Sequence, residues 1–354
     1  MRKPMQAAFQ KATLALAATA LACALVEIAV RVFDLAPPLP PRYVDYVQDD
    51  VLPFRLEPNA VKPNRPWPSG DEFLFEFRTN SQGFRDVEHA FEKPPGVMRI
   101  LGLGDSYTAG CGAPFEDSYL YRLEQILGAD HRVEIIKAGQ PRYWTEPERL
   151  LLETIGVRYH PDLVLVAFTP NDVTDTYLGT NGVKVRDGYL VSREGYQLGR
   201  AGVWLYVHSQ AARLGLRTWL DRTAPSRGRG TLATIEMANA YRADGPHEPD
   251  WRAVELEFDK MLRIVQGIGA RLVLVHIPTQ DFRLRHVDYA PRRLAEWGRR
   301  NAVDVIDTLP ALRDADTREQ VYWKKDIHCT PAGYRVIAET LFAELTQRGL
   351  VPRR

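Results

Sequence analysis

Little in this sequence points toward charge-driven binding. Forty-six basic residues face 45 acidic ones, for a net charge of +1. No global field gathers nucleic acid, and no run of like charges is long enough to act as a binding tail, so nucleic acid is excluded as a partner. Cysteine is scarce at three, and no close grouping of His, Cys and carboxylates has the spacing of a metal centre. Two common devices of α/β proteins are missing as well: a Gly-x-x-x-x-Gly-Lys loop to cradle phosphates and a Gly-x-Ser-x-Gly elbow. A Gly-x-Gly pair does follow an apolar run at Gly102 and Gly104, but Tyr107 stands where a dinucleotide loop needs its third small residue. No cofactor is expected.

What remains has an ordinary globular balance, 354 residues with 45% hydrophobic and 26% charged. That is enough for one large domain or two small ones.

The N-terminus differs from everything after it. Arg2, Lys3 and Lys11 precede an uncharged run from Ala12 to Val26, and apolar character resumes after Glu27 through Val30. Counted to Val30 the run is about 19 residues, near the ~20 a spanning helix needs. Basic residues ahead of it hold the N-terminus in the cytoplasm. The first reading is an uncleaved single-pass anchor over residues 1–33 in a bacterial inner membrane, with the rest periplasmic. The alternatives are cleavage after Ala20-Leu-Ala22, which releases the chain to the periplasm, and a lipid-modified Cys23.

Nine prolines between residues 34 and 70 predict an extended, semi-rigid linker. Asp71 to Arg78 alternates like a strand, and Gly83 lies in a turn within Thr79–Asp86. From Met98 on, apolar runs alternate with amphipathic stretches, as in a parallel sheet covered on both faces. Strands are expected at Met98–Leu103, Arg132–Ala138, Leu163–Phe168, Arg271–Ile277 and Val303–Ile306. Helices are expected at about Ser118–Leu127, Glu146–Arg158, Trp251–Gly267, Ala290–Asn301 and Pro331–Arg348. Ligands of such sheets bind at the carboxyl edge. Ser106, Gly139 and Asn171 each follow a different strand to that edge.

Residues 174–250 interrupt the alternation within a domain spanning 71–350. Val183–Val191 reads as a hairpin turning at Asp187-Gly188, Gly202–Leu220 reads as helical, and Ala224–Gly230 is a polar loop. Beside the site, so long an insertion is expected to shape or cover it; the other reading is a packing element. Its Trp204, Tyr206 and Trp219 suit either sugar stacking or packing.

Four separated blocks carry the chemistry: Gly104-Asp-Ser106, Ala138-Gly139, Thr169-Pro-Asn-Asp172 and Asp326-Ile-His328. A serine hydroxyl is a poor nucleophile until a neutral imidazole takes its proton, and the imidazole needs a partner that fixes its tautomer. With these blocks in this order, the chain resembles the GDSL, or SGNH, hydrolase family over roughly Asn80 to Leu345. The resemblance implies a flavodoxin-like three-layer α/β/α fold. It also implies Ser106 as nucleophile, His328 as base with Asp326 as its partner, and an oxyanion hole from the N–H groups of Ser106 and Gly139 with the Asn171 amide.

Two positions depart from the family pattern. Thr169 stands where the third block usually has Gly, and a single residue, Ile327, separates Asp326 from His328 where two are usual. The shorter spacing is shared with family branches that include polysaccharide O-acetyltransferase-like proteins. The leading expectation is a periplasmic hydrolase of an acyl or acetyl ester. The alternatives are an O-acyltransferase or deacetylase acting on an envelope glycan, and a catalytically silent carbohydrate-binding module. His276, at a strand end, is expected to be packed or hydrogen-bonded rather than to line the site or substitute as base. Cys111 and Cys329 follow two of the blocks and are read either as a disulfide, which export permits, or as two buried thiols.

Overall fold

The long apolar runs become one sheet because each is buried on both faces and pairs with parallel neighbours. The computed structural model describes residues 2–37, 39, 43–63, 75–129, 132–176, 179, 181–192, 198–223, 248–280, 288–324 and 326–352. Five strands, β5 (Met98–Gly104), β6 (Val133–Gly139), β7 (Leu163–Phe168), β10 (Arg271–His276) and β11 (Asp304–Asp307), form a parallel sheet in the order β11-β10-β7-β5-β6. Renumbered along the chain this is 2-1-3-4-5, the flavodoxin-like order, whose switch point lies between β5 and β7. All six residues of β7, the central strand, are buried.

Flanking helices complete the three-layer α/β/α fold: α2 (Tyr119–Gly128), α3 (Thr145–Thr154), α7 (Glu248–Gly267), α8 (Tyr289–Asn301) and α10 (Pro331–Gln347). Helix α2 packs with α10, and α3 packs with α7. Right-handed crossovers explain the pairing, since the chain steps one way from β5 to β6 and then the other way over β5 to β7. For these five strands and five helices the boundaries expected from the sequence agree to within a few residues; the short α9 (Leu309–Ala315) is an addition to them. Thr308 caps the end of the sheet there, its hydroxyl donating to His276 O at 2.8 Å.

The chain divides into two compact units, Pro41–Leu190 with Gly230–Arg354, and Met1–Pro40 with Val191–Arg229. In the first, part of the proline-rich segment expected to be an extended, semi-rigid linker is packed into the core. Tyr43, Val44, Tyr46, Leu52, Phe54 and Leu56 are buried. β1 (Tyr46–Val47) pairs with β2 (Arg55–Leu56), and β3 (Val61–Pro63) pairs with β4 (Glu76–Arg78). Proline does keep this chain extended, but the apolar residues between prolines bind it to the sheet domain as a strap. Leu56 N–H donates to Gln140 Oε1 at 2.9 Å and the Tyr143 hydroxyl to Phe54 O at 2.5 Å, which pins the strap beyond the end of β6. The expected strand over Asp71–Arg78 is seen from Glu76; Asp71–Leu74 lie outside the described residues, as does the Ala224–Gly230 loop. The hairpin is present as β8 (Val183–Arg186) and β9 (Tyr189–Ser192), with Asp187 and Gly188 at φ 50° and 75°. Both values suit the left-handed turn that joins twisted strands.

The second unit is helical. The apolar N-terminus is one helix, α1 (Arg2–Val32), packed with α6 (Gln210–Thr223), which follows α5 (Gly199–His208). The single helix expected over Gly202–Leu220 is broken at Ser209, whose backbone is extended. Its hydroxyl accepts from Ala212 N–H at 3.0 Å and so starts a new helix as its cap. The described helices of the insertion therefore belong with α1.

Candidate active site

Strand β5 ends in a turn that lifts one side chain out of a buried backbone. Gly104 has φ 154°, and a Cβ there would meet Thr108 Oγ1 at 2.1 Å, so only glycine lets the chain fold back so tightly. Asp105 Oδ1 accepts the Tyr107 N–H at 2.9 Å and Asp105 O accepts Ala109 N–H at 3.0 Å. Asp105 and Tyr107 are buried while Ser106 between them is half-buried. The Ser106 N–H is given to no acceptor among the described residues.

Gly139 ends β6 beside this turn. A Cβ at Gly139 would come within 2.2 Å of Ala109 N, so glycine here is already required by the approach of the serine turn. Asn171 begins the short helix α4 (Asn171–Thr174) after β7. One amide proton of Asn171 goes to Tyr143 O at 2.8 Å, which leaves its second proton available.

Asp326 and His328 arrive on the loop before α10. His328 Nε2 lies 2.8 Å from Ser106 Oγ, and His328 Nδ1 lies 2.5 Å from Asp326 Oδ1, which also accepts the His328 backbone N–H at 2.8 Å. Burial pushes the Asp326 carboxyl up, but the His328 ring and backbone N–H outweigh it and hold the group below the usual carboxylate range. With Asp326 ionised, the pairing assigns the imidazole proton to Nδ1 and leaves the Nε2 lone pair facing the serine hydroxyl.

The serine turn and the histidine loop are joined by several contacts. The Tyr107 hydroxyl donates to Ile327 O at 2.5 Å, Trp323 Nε1 to Gly112 O at 2.8 Å and the Tyr334 hydroxyl to Cys111 O at 2.6 Å. The His328 ring sits 5.3 Å from the Tyr107 ring and edge-on to Tyr43 of the strap at 6.4 Å, centroid to centroid. Arg85 is buried and donates to Ala109 O, Gly110 O and Ala113 O, with its guanidinium over the rings of Phe75 and Phe77. Sequence reasoning missed Tyr43 and Arg85. Neither lies in a motif block, and the aromatic residues among the prolines are the one signal that could have flagged the strap.

Behind Ser106, toward β7, lies a buried acidic group. Thr169 Oγ1 contacts Asp105 Oδ2 at 3.0 Å and also Asn171 Oδ1. A hydroxyl has one proton to give. With Asp105 protonated, its O–H serves Thr169 and the Thr169 O–H serves Asn171, so every atom in the line is matched. Burial pushes the Asp105 carboxyl up to about 6. Asp172 accepts Thr169 N–H at 2.8 Å and the Thr145 hydroxyl at 2.9 Å, whereas neither oxygen of buried Glu148 has a hydrogen-bond partner among the described residues. Burial, and then the nearby Asp172 and Asp105 carboxyls, push Glu148 well up, and without donors it is the member kept neutral.

His276 does not join the site. It is fully buried, with Nδ1 2.7 Å from Asp307 Oδ1. Cys111 and Cys329 are buried free thiols, not a disulfide, and burial pushes both well above an ordinary thiol. No grouping of three His, Cys, Asp or Glu suited to a metal occurs among the described residues.

The profile of the GDSL-like lipase/acylhydrolase family matches residues 103–336, more than half of the chain and all four blocks. No curated protein matches. Among solved structures, the lipase/acylhydrolase from Enterococcus faecalis is 15% identical with a TM-score of 0.42, covering 73% of this chain and 98% of its own. A G-D-S-L family lipolytic protein from Veillonella parvula is 14% identical with a TM-score of 0.42, covering 71% and 99%. Axe2, an acetylxylan esterase from Geobacillus stearothermophilus, is 13% identical with a TM-score of 0.42, covering 70% and 94%. The chain belongs to the GDSL-like lipase/acylhydrolase family and is an SGNH-type serine hydrolase that acts on ester bonds.

Proposed function

We propose that Ser106 is the nucleophile of this hydrolase, His328 its general base and Asp326 the carboxylate that orients the base and stabilises the imidazolium it becomes. The observation that carries this reading is the unbroken line from Asp326 Oδ1 through the imidazole to Ser106 Oγ, with steps of 2.5 and 2.8 Å. Ser106 Oγ adds to the ester carbonyl carbon as its proton passes to Nε2, and the carbonyl oxygen becomes an oxyanion. Collapse expels the alcohol, which takes the Nε2 proton. Water then gives a proton to Nε2 as its oxygen adds to the acyl carbon, and the second collapse returns that proton to Ser106 and frees the acid.

The oxyanion is held by the N–H groups of Ser106 and Gly139 and the second amide proton of Asn171. One such donor is worth roughly 2.7–4 kcal/mol. Thr169 is a positioning residue in this scheme: its hydroxyl fixes Asn171 Oδ1, and so the plane of the amide. The substrate is an acyl or acetyl ester, and no cofactor takes part. Helix α1 is an uncleaved anchor in a bacterial inner membrane with the hydrolase domain in the periplasm, a reading supported by the basic residues ahead of its apolar span. The hydrolase domain then begins before Tyr43 and not at residue 71.

The full chain in detergent is expected to react with a fluorophosphonate probe at Ser106 and to cleave a short-chain nitrophenyl ester. Ser106→Ala is expected to lower kcat by roughly 10⁶. A folded sample that neither labels nor cleaves would defeat the reading. One observation favours a second outcome for the same acyl-enzyme: the single-residue spacing of Asp326 and His328, which keeps O-acyl transfer or deacetylation on an envelope glycan in play. Trapping the acyl-enzyme and adding glycans separates transfer from hydrolysis, deacetylation included, because water releases free acid and transfer releases acylated sugar.

A further inference from the structure

Helix α1 carries an apolar span at Phe9–Val32, 24 residues with a mean hydropathy of 2.1 and almost none of it buried. At ~1.5 Å per residue it is about 36 Å long, enough for a hydrocarbon layer of ~30 Å. One acidic residue interrupts it. Glu27 stands 18 positions after Phe9, about 27 Å along the axis and thus near the outer boundary of such a layer.

Glu27 is occupied by the start of α6. Its carboxylate accepts the N–H groups of Gln210 and Ala211 at 2.9 Å each and the Ser209 hydroxyl at 2.8 Å. The exposed N–H groups and positive dipole end of α6 are a natural partner for an anion. Arg31 adds a cation, with Nε 2.7 Å from Glu27 Oε1 and Nη2 3.3 Å from His208 O. The carboxylate is thus matched by a helix end and a guanidinium, which is what an acidic group beside lipid requires.

These bonds fix depth. Whatever level Glu27 occupies, the α5–α6 elbow at His208–Ala211 occupies it too. Resting on the reading of α1 as an uncleaved span, we infer that the α5–α6 hairpin is an interfacial membrane element whose partner is an anionic phospholipid surface. Its composition fits that partner. Trp204 and Leu205, one turn before the elbow, are 54% and 43% exposed, and Trp is the residue that favours the headgroup level. Arg213 is buried within the hairpin, and the two helices otherwise carry Arg200, Arg217 and Arg222 against the single acid Asp221, a positive balance that suits anionic headgroups. A tryptophan and a leucine left open on helices that also carry Arg200, Arg217 and Arg222 make a poor surface for water and a good one for the boundary of a bilayer.

Spin labels read depth directly. The full chain is placed in vesicles of phosphatidylethanolamine and phosphatidylglycerol on a Cys23→Ser background, where the buried Cys111 and Cys329 are protected from labelling. Labels are introduced by Leu16→Cys, Trp204→Cys, Leu205→Cys and, as a water-exposed control, Arg299→Cys. The ratio of oxygen to nickel-chelate accessibility is expected to be highest at 16, lowest at 299 and intermediate at 204 and 205. Adding Glu27→Ala is expected to lower the ratio at 204 and 205 toward that at 299 while 16 stays high. If 204 and 205 match 299 while 16 remains in lipid, the interfacial role is wrong and the anchor stands. If 16 also matches 299, the anchor reading fails and takes this inference with it.

Discussion

Toward His328, the carboxylate of Asp326 receives a ring proton and a backbone N–H on one oxygen and stays ionised. Toward Asn171, the carboxyls of Asp105, Asp172 and Glu148 share a buried space without a cation among their hydrogen-bond partners, and Glu148 has no partner at all among the described residues. The same functional group is thus favoured as the anion on one side of the serine turn and pushed toward the protonated form on the other, where Glu148 is the member kept neutral. The difference is one of supply: donors aimed at an oxygen favour the anion, while burial among other acids favours the proton. The charged side is suited to holding an imidazolium, and the neutral side to holding an amide without a field that would pull its protons away from an oxyanion.

Removing the charge of Asp326 tests the first side hardest. Asp326→Asn preserves size but offers Nδ1 the wrong partner for its tautomer, and kcat is expected to fall by about 10⁴. A loss below tenfold would show that the carboxylate does not direct the base. On the other side, Asn171→Ala is expected to reduce kcat by about 10²–10³ as one oxyanion donor goes. Steady-state kinetics with an unchanged KM would confirm that the amide acts on the transition state. Thr169→Val asks whether the neutral side works by positioning. Loss of one hydrogen bond at about 1.4 kcal/mol predicts a roughly tenfold drop in kcat with KM little changed. Thr169→Ser should recover most of it. Equal activity in all three would remove Thr169 from the scheme.

The smallest effect concerns stability. A carboxyl whose pKa rises on folding holds a proton that the unfolded chain has lost, so stability falls as pH climbs from about 4 through the folded value. For Asp105 that window ends at about 6, and Glu148 extends it upward. Asp326 has the opposite sign, and its contribution is lost only as pH falls below the ordinary carboxylate range. The melting temperature is therefore expected to be higher at pH 5 than at pH 8, with a smaller difference in Glu148→Gln. A melting temperature that rises from pH 5 to pH 8 would reverse the assignment of the neutral side.

Much of this arrangement was legible in the sequence because strands buried on both faces are written as unbroken apolar runs, and the site sits at their ends. Ser106, His328 and Asp326 are brought together as their blocks implied, and Asn171 reaches the same turn through Thr169 and Asp105. The strap was not legible, since proline content reports an extended backbone and says nothing about what that backbone lies against. The tie between Glu27 and the insertion was equally hidden, because a bond between residues about 180 positions apart leaves no mark in local periodicity. The sequence places Gly139 as an oxyanion donor and leaves its packing role hidden: the serine turn alone already demands glycine there.

The strap also bears on where this protein can be cut. A soluble version started at residue 71, the border that composition marks, would leave the sheet domain without Val44, Leu52, Phe54 and Leu56, all buried. At about 1.5–3 kcal/mol for each large apolar side chain, that loss rivals the about 5–15 kcal/mol by which a whole domain is stable. It would also take away Tyr43, the ring edge-on to His328. Removing helix α1 and keeping the strap are compatible only when the scissors fall between Val32 and Tyr43.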